Sequence, residues 1–260
     1  MKTPWCVWIY ESNRVMSVPG ARCLVLGPAW CLAVLGLSCL AADAWAQQRQ
    51  DVFSRAVAYF EAGRVAESAA EFDRLVQMRP EDAPDLWQRG IALYYAGRFN
   101  DCRQQFELHR TVNPNDVENA AWHFLCVARA ESPAKARAAM LPVGPDARVP
   151  MRQVYEMFGG RMQPEEVLRA AGAQPGPEFY AHLYLGLYAE ARGDARGALD
   201  HITAAANDRY AGAGGYMHTV ARVHLGILQR RDRRQGWSLS SPLPISASAR
   251  SSPCGCSTRP

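Results

Sequence analysis

From Asp51 to Gln229 apolar residues recur every three to four positions with polar residues between them, the pattern of helices that bury one face. Ala56, Tyr59 and Phe60 predict one such helix, and Val65, Ala69, Phe72, Leu75 and Val76 a second that ends by Met78. Residues 83–112 repeat the arrangement with Leu86, Trp87, Ile91, Leu93, Tyr94 and Tyr95, then Phe99, Phe106 and Val112. A third unit opens with a helix from Val117 to Ala130 and continues with a shorter one from Pro133 to Met140, where Leu141-Pro142-Val143-Gly144-Pro145 breaks the pattern. Two short helical stretches follow, Gln153 to Phe158 and Pro164 to Ala171, and regular pairing resumes at Glu178. A last amphipathic helix, about 216–229, carries Val220, Val223, Leu225, Ile227 and Leu228 and is expected to cap the open end.

The units share a period. Gly63 and Gly97, Phe72 and Phe106, Pro80 and Pro114, and Ala56 and Gly90 are each 34 residues apart, the repeat length of the tetratricopeptide motif. Each landmark has a physical task. Small residues at Ala56, Gly90, Ser68 and Cys102 let antiparallel helices approach, and Gly63 and Gly97 suit the left-handed backbone that ends a helix. The expectation is an all-α tetratricopeptide repeat solenoid of antiparallel hairpins, with repeats at about 49–82, 83–116, 117–140 (partial) and 179–212, and an irregular helical insertion at 146–172.

The two ends differ from this middle. Arg22 precedes an apolar run from Cys23 to Ala42, and Ala44-Trp45-Ala46 leads into Gln47-Gln48-Arg49-Gln50, the layout of an export signal with cleavage after Ala46. A membrane anchor is the competing reading, because the run approaches the ~20 residues that span a bilayer. A lipoprotein signal would put the acyl group on Cys39, although Gly36 stands where such signals usually carry Leu. Residues 231–260 are rich in Ser, Pro and Arg and read as a disordered tail.

Charge is unevenly placed. Of the net +4, residues 231–260 supply all four, whereas residues 1–46 carry +1 and 47–230 carry −1, so no nucleic-acid-binding face is expected. Eight cysteines lack C-x-x-C spacing, and Cys102 and Cys126 read as small or buried positions within helices. His182 and His201 flank one hairpin, and His218 and His224 are too far apart in register to share a helix face. No phosphate loop, nucleophile elbow or zinc helix motif is present. The sequence therefore predicts neither enzyme, metal nor cofactor.

What remains is a surface. First helices of stacked hairpins line an inner wall, which makes Phe53, Val57, Phe60, Trp87, Ile91, Tyr94, Tyr95, Leu125 and Arg129, with Arg98 beside them, candidates for a protein-binding groove. Core packing is the competing assignment for each aromatic.

Two regular repeats, a third opening Trp122-His123-Phe124-Leu125, the insertion around Gln153-Val154-Tyr155-Glu156-Met157-Phe158-Gly159-Gly160, then Phe179-Tyr180, Leu185-Gly186, Gly193-Asp194 and Ala198 together resemble the bacterial NlpI lipoproteins over about residues 50–228. The resemblance implies an exported, outer-membrane-associated or periplasmic helical adaptor, a homodimer in that family. It would bind other proteins, presenting peptidoglycan hydrolases to a periplasmic processing protease. A structural scaffold in another envelope machine is the alternative.

Overall fold

A computed structural model of the chain describes residues 28–240, with side chains from 44 to 234. The chain divides into two units, Met1–Gln47 and Gln48–Pro260, and the packing described below belongs to the second. Most of the expected export signal and the end of the expected tail lie outside the described residues, and Cys39 lies where no side chain is described.

Among the described residues every regular element is helical. The helices are α1 (Pro28–Glu61), α2 (Val65–Met78), α3 (Trp87–Tyr95), α4 (Phe99–His109), α5 (Val117–Ala130), α6 (Pro133–Ala138), α7 (Met151–Phe158), α8 (Pro164–Ala171), α9 (Pro175–Ala191), α10 (Ala195–Ala205), α11 (Ala211–Gly214) and α12 (Tyr216–Ser240). Pairs of neighbours form hairpins that pack on the next pair. Caps set several starts: Asp116 accepts from the Glu118 amide, Ser132 from Lys135 and Asp194 from Gly197.

One turn recurs at the hairpin bends. Gly63, Gly97 and Gly193 have φ of 71°, 77° and 83°, left-handed values that favour glycine. In each case the glycine amide and the one after it fold back onto the preceding helix: Gly97 N reaches Tyr94 O at 3.1 Å and Arg98 N reaches Leu93 O at 2.9 Å.

The helices of a hairpin also touch in one way. At Gly90 an added Cβ would stand 2.7 Å from the Phe106 ring, and at Gly186 it would stand 2.6 Å from Ile202. In the first hairpin Ser68 Oγ donates to Ala56 O at 2.8 Å across the seam. Cys102, at the position on α4 that Ser68 takes on α2, is joined to Cys126 on α5 by a disulfide with Cα atoms 5.9 Å apart. That bond was not expected from the sequence.

The broken-pattern segment is tied down by charge. Arg148 reaches Glu118 and Asp146 at 2.6 Å each and Asp116 at 2.5 Å, fixing the chain ahead of α7 to the first turn of α5. Tyr184 on α9 donates to Glu118 at 2.6 Å, so the renewed hairpin grips the same group. Burial and the nearby Asp116 carboxylate push the Glu118 carboxyl up to about 7, with Arg148 and Tyr184 opposing.

Several boundaries differ from expectation: α6 stops at Ala138 rather than Met140, α7 starts at Met151 rather than Gln153, and α9 starts at Pro175 rather than Glu178. Pro80 ends α2 but opens a 3-10 turn, Pro80–Asp85, because proline suits the start of a helical turn. α12 continues past Gln229 to Ser240, through Arg230 to Arg234, residues with good helix propensity.

Candidate functional site

The first helices of the hairpins present Phe60 from α1, Trp87 and Tyr95 from α3, and Glu190 from α9 to one helix, α12. Its first residue, Tyr216, stacks on Phe60 with ring centroids 5.7 Å apart and meets Trp87 edge-on at 5.2 Å. Two turns later His224 Nδ1 lies 3.0 Å from the Tyr95 hydroxyl. Met217, Val220, Ala221 and Val223 are also buried along α12, which packs on α10 and α11 as well. The last helix is therefore seated along the wall, and does more than cover the end of the array.

A polar node closes the far side of this seat. Glu190 Oε2 faces His224 Nε2 at 3.3 Å, and Glu190 Oε1 pairs with Arg231 and lies 3.7 Å from Arg129. With the Tyr95 hydroxyl donating to Nδ1, the neutral ring carries its proton on Nε2, towards the carboxylate. Burial holds the His224 imidazole down to about 4; Glu190 opposes this, and Arg231 and Arg129 add to it. Burial likewise raises the phenols of Tyr94 and Tyr95. The Arg129 guanidinium lies over Phe99 at 5.0 Å and Tyr94 at 5.9 Å.

The candidate groove residues separate into three groups. Ile91 and Leu125 are 0% exposed and Tyr94 4%, so these three are core and offer a partner no surface; they are an expectation corrected by packing density around α3 and α5. Phe60 is equally enclosed. Trp87 and Tyr95 are half-buried at the edge of the α12 seat, and Arg129 beside them is exposed. Arg98 turns away, to Asp73 and to Asp101 at 2.7 Å, where it joins Arg89 in a network linking α2, α3 and α4. Glu190, Tyr216, His224 and Arg231 complete the seat. The sequence offered one signal for them, since Tyr216 and His224 are eight apart and so fall near one face of a helix.

The remaining histidines have partners. His109 Nδ1 reaches Pro84 O at 2.7 Å, His218 Nε2 reaches Asn207 O at 3.1 Å, and His123 Nε2 stands 3.3 Å from Glu107. His123 and Cys126 form no thiol and base pair, because Cys126 is in the disulfide. His182 and His201 point their Nδ1 atoms at one another, 3.1 Å apart. Among the described residues no group of three or more His, Cys, Asp and Glu side chains could hold a metal ion, and no helix is long and apolar enough to cross a membrane. No protein-family model and no curated protein matches the chain.

Proposed function

We propose that the protein is a non-enzymatic adaptor of the bacterial envelope, an NlpI-like array of tetratricopeptide repeats that binds other proteins along the wall where α12 lies. One observation carries this reading. The wall receives an amphipathic helix through ring contacts, a hydrogen bond and an ion pair, which is helix-in-groove recognition within a single chain. Half-buried Trp87 and Tyr95 and exposed Arg129, at the edge of the seat, are the residue types that anchor interfaces, and a partner segment docks there beside α12. The Cys102–Cys126 disulfide supports the compartment, since such bonds persist in oxidising surroundings and are rare in the cytosol. Partners of the family, a processing protease and peptidoglycan hydrolases, are the first to look for.

The test is capture from envelope extract with the parent and with Trp87→Ala/Arg129→Ala, alongside thermal melts of both. The adaptor reading expects a protease or wall hydrolase on the parent and at least ~2 kcal/mol weaker capture by the variant, the scale of an interface hot spot, with the fold retained. Undiminished capture by a folded variant overturns the edge as the docking site. The second reading is a scaffold in another envelope machine, for which α12 already occupies the seat; recovery of one secretion or assembly complex by both proteins supports it.

A further inference from the structure

The last hairpin holds a pair of side chains that neither the core nor the α12 seat uses. His182 on α9 and His201 on α10 are half-buried, face each other across the seam, and bring Nδ1 to within 3.1 Å of Nδ1. Only one hydrogen can occupy that gap, so at most one ring nitrogen keeps a lone pair there when the rings bond each other directly.

The same geometry suits a metal. Bonds of ~2.0–2.1 Å from a transition metal to imidazole nitrogen place two such ligands roughly 2.9–3.4 Å apart at octahedral to tetrahedral angles. We propose that His182 and His201 form a two-histidine site for a divalent transition metal of the zinc class, completed by water. Nitrogen ligands and an open coordination sphere favour ions that accept imidazole readily over magnesium or calcium.

The surroundings support ligation. Burial lowers both imidazoles, and His201 adds to the effect on His182, a shift in the direction of the neutral rings that bind metals. The charged groups around the pair are carboxylates, Glu178 on α9 and Asp194 and Asp200 at the start and middle of α10, and two cations, Arg209, which pairs with Glu178 at 3.2 Å, and Arg196, which lies 3.9 Å from Asp200. Negative charge exceeds positive around the site, and so a dication is stabilised there. Because the protein supplies only two ligands, the metal exchanges with solvent and acts as a removable clip between α9 and α10.

The experiment is a calorimetric titration of the full, untagged, metal-stripped chain with Zn²⁺, after free thiols have been alkylated without reduction of the disulfide. The parent binds one equivalent and melts at a higher temperature with zinc. His182→Gln and His201→Gln, which keep hydrogen-bonding side chains but each remove a ligand, lower the affinity at least tenfold and abolish the zinc-dependent shift. Circular dichroism verifies that both variants are folded. Zinc bound with unchanged affinity by both variants overturns the site. So does the absence of saturable binding to the unaltered parent, a result that needs no variant to fold.

Discussion

The hydroxyl of Tyr95 stands 3.0 Å from Nδ1 of His224, a contact that spans 129 residues and fastens the final helix to the second hairpin. His224 is buried and Tyr95 half-buried, so removing the hydroxyl leaves the ring nitrogen without its partner, at a cost of about 1–3 kcal/mol. Tyr95→Phe is therefore expected to lower the unfolding free energy by that amount, and the denaturation midpoint with it, although the ring contacts with Phe60 and Trp122 survive. An unchanged midpoint would show that ring packing alone holds α12.

Glycine at the seams makes a separate prediction. Gly90→Ala drives a methyl into the Phe106 ring and Gly186→Ala drives one into Ile202, so each is expected to destabilise by ~1–3 kcal/mol through overpacking. At Gly63 the space around an added Cβ is open but φ is 71°, so Gly63→Ala acts through backbone strain alone, roughly 1–2 kcal/mol. Denaturant titration of the three variants checks the contrast, and Gly90→Ala costs less in a Phe106→Leu background than in the parent only if the ring is the obstacle.

The disulfide between α4 and α5 closes a loop with a sequence separation of 24. Its loss typically costs 2–4 kcal/mol. Cys102→Ala/Cys126→Ala is expected to fold, since alanine is small enough for the seam, but to melt lower by that equivalent, and reductant should lower the parent's melting temperature while leaving the variant's alone. A parent insensitive to reductant would mean that the bond does not bear on stability.

Acid should loosen the α12 seat. His224 titrates near 6.5 in an unfolded chain and about 4 when buried, so the neutral ring belongs to the folded form. The stabilisation is complete above about 6.5 and is lost as pH falls through about 4. Tyr95, Glu190, Arg129 and Arg231 surround the ring, and only Glu190 favours its protonation. The parent's melting temperature should therefore fall over that window more steeply than that of His224→Gln. Parallel curves would remove His224 as the cause.

Much of the helix order was legible in the sequence, and the reasons are local. α5 and α8 fall where Asp116 and Pro164 open them, and Gly63, Gly97 and Gly193 mark bends because few other residues take their backbone angles. What could not be read is non-local. Nothing in the spacing of Cys102 and Cys126 distinguishes two buried thiols from a bond, since the decision rests on how α4 lies against α5. Ile91, Tyr94 and Leu125 looked like wall residues because they share faces with Trp87 and Arg129, but a helix beside another helix buries more than one face. The seat needed Glu190 and His224, whose meeting with Tyr95 depends on the path of the whole chain.

That path has a consequence for how the protein is made. Phe60, Trp87 and Tyr95 are synthesised more than a hundred residues before the helix that covers them, so a nascent chain carries their outer faces bare until Tyr216 and His224 arrive. Contacts so distant in sequence form late, and the surface they leave open meanwhile is the kind that chaperones hold. A premature stop, or a proteolytic cut in Gly212-Ala213-Gly214-Gly215, would strip cover from the first two hairpins at the opposite end of the array. The arrival of α12 is thus registered at the first two hairpins, and a product cut short before it shows quality control residues that it still possesses.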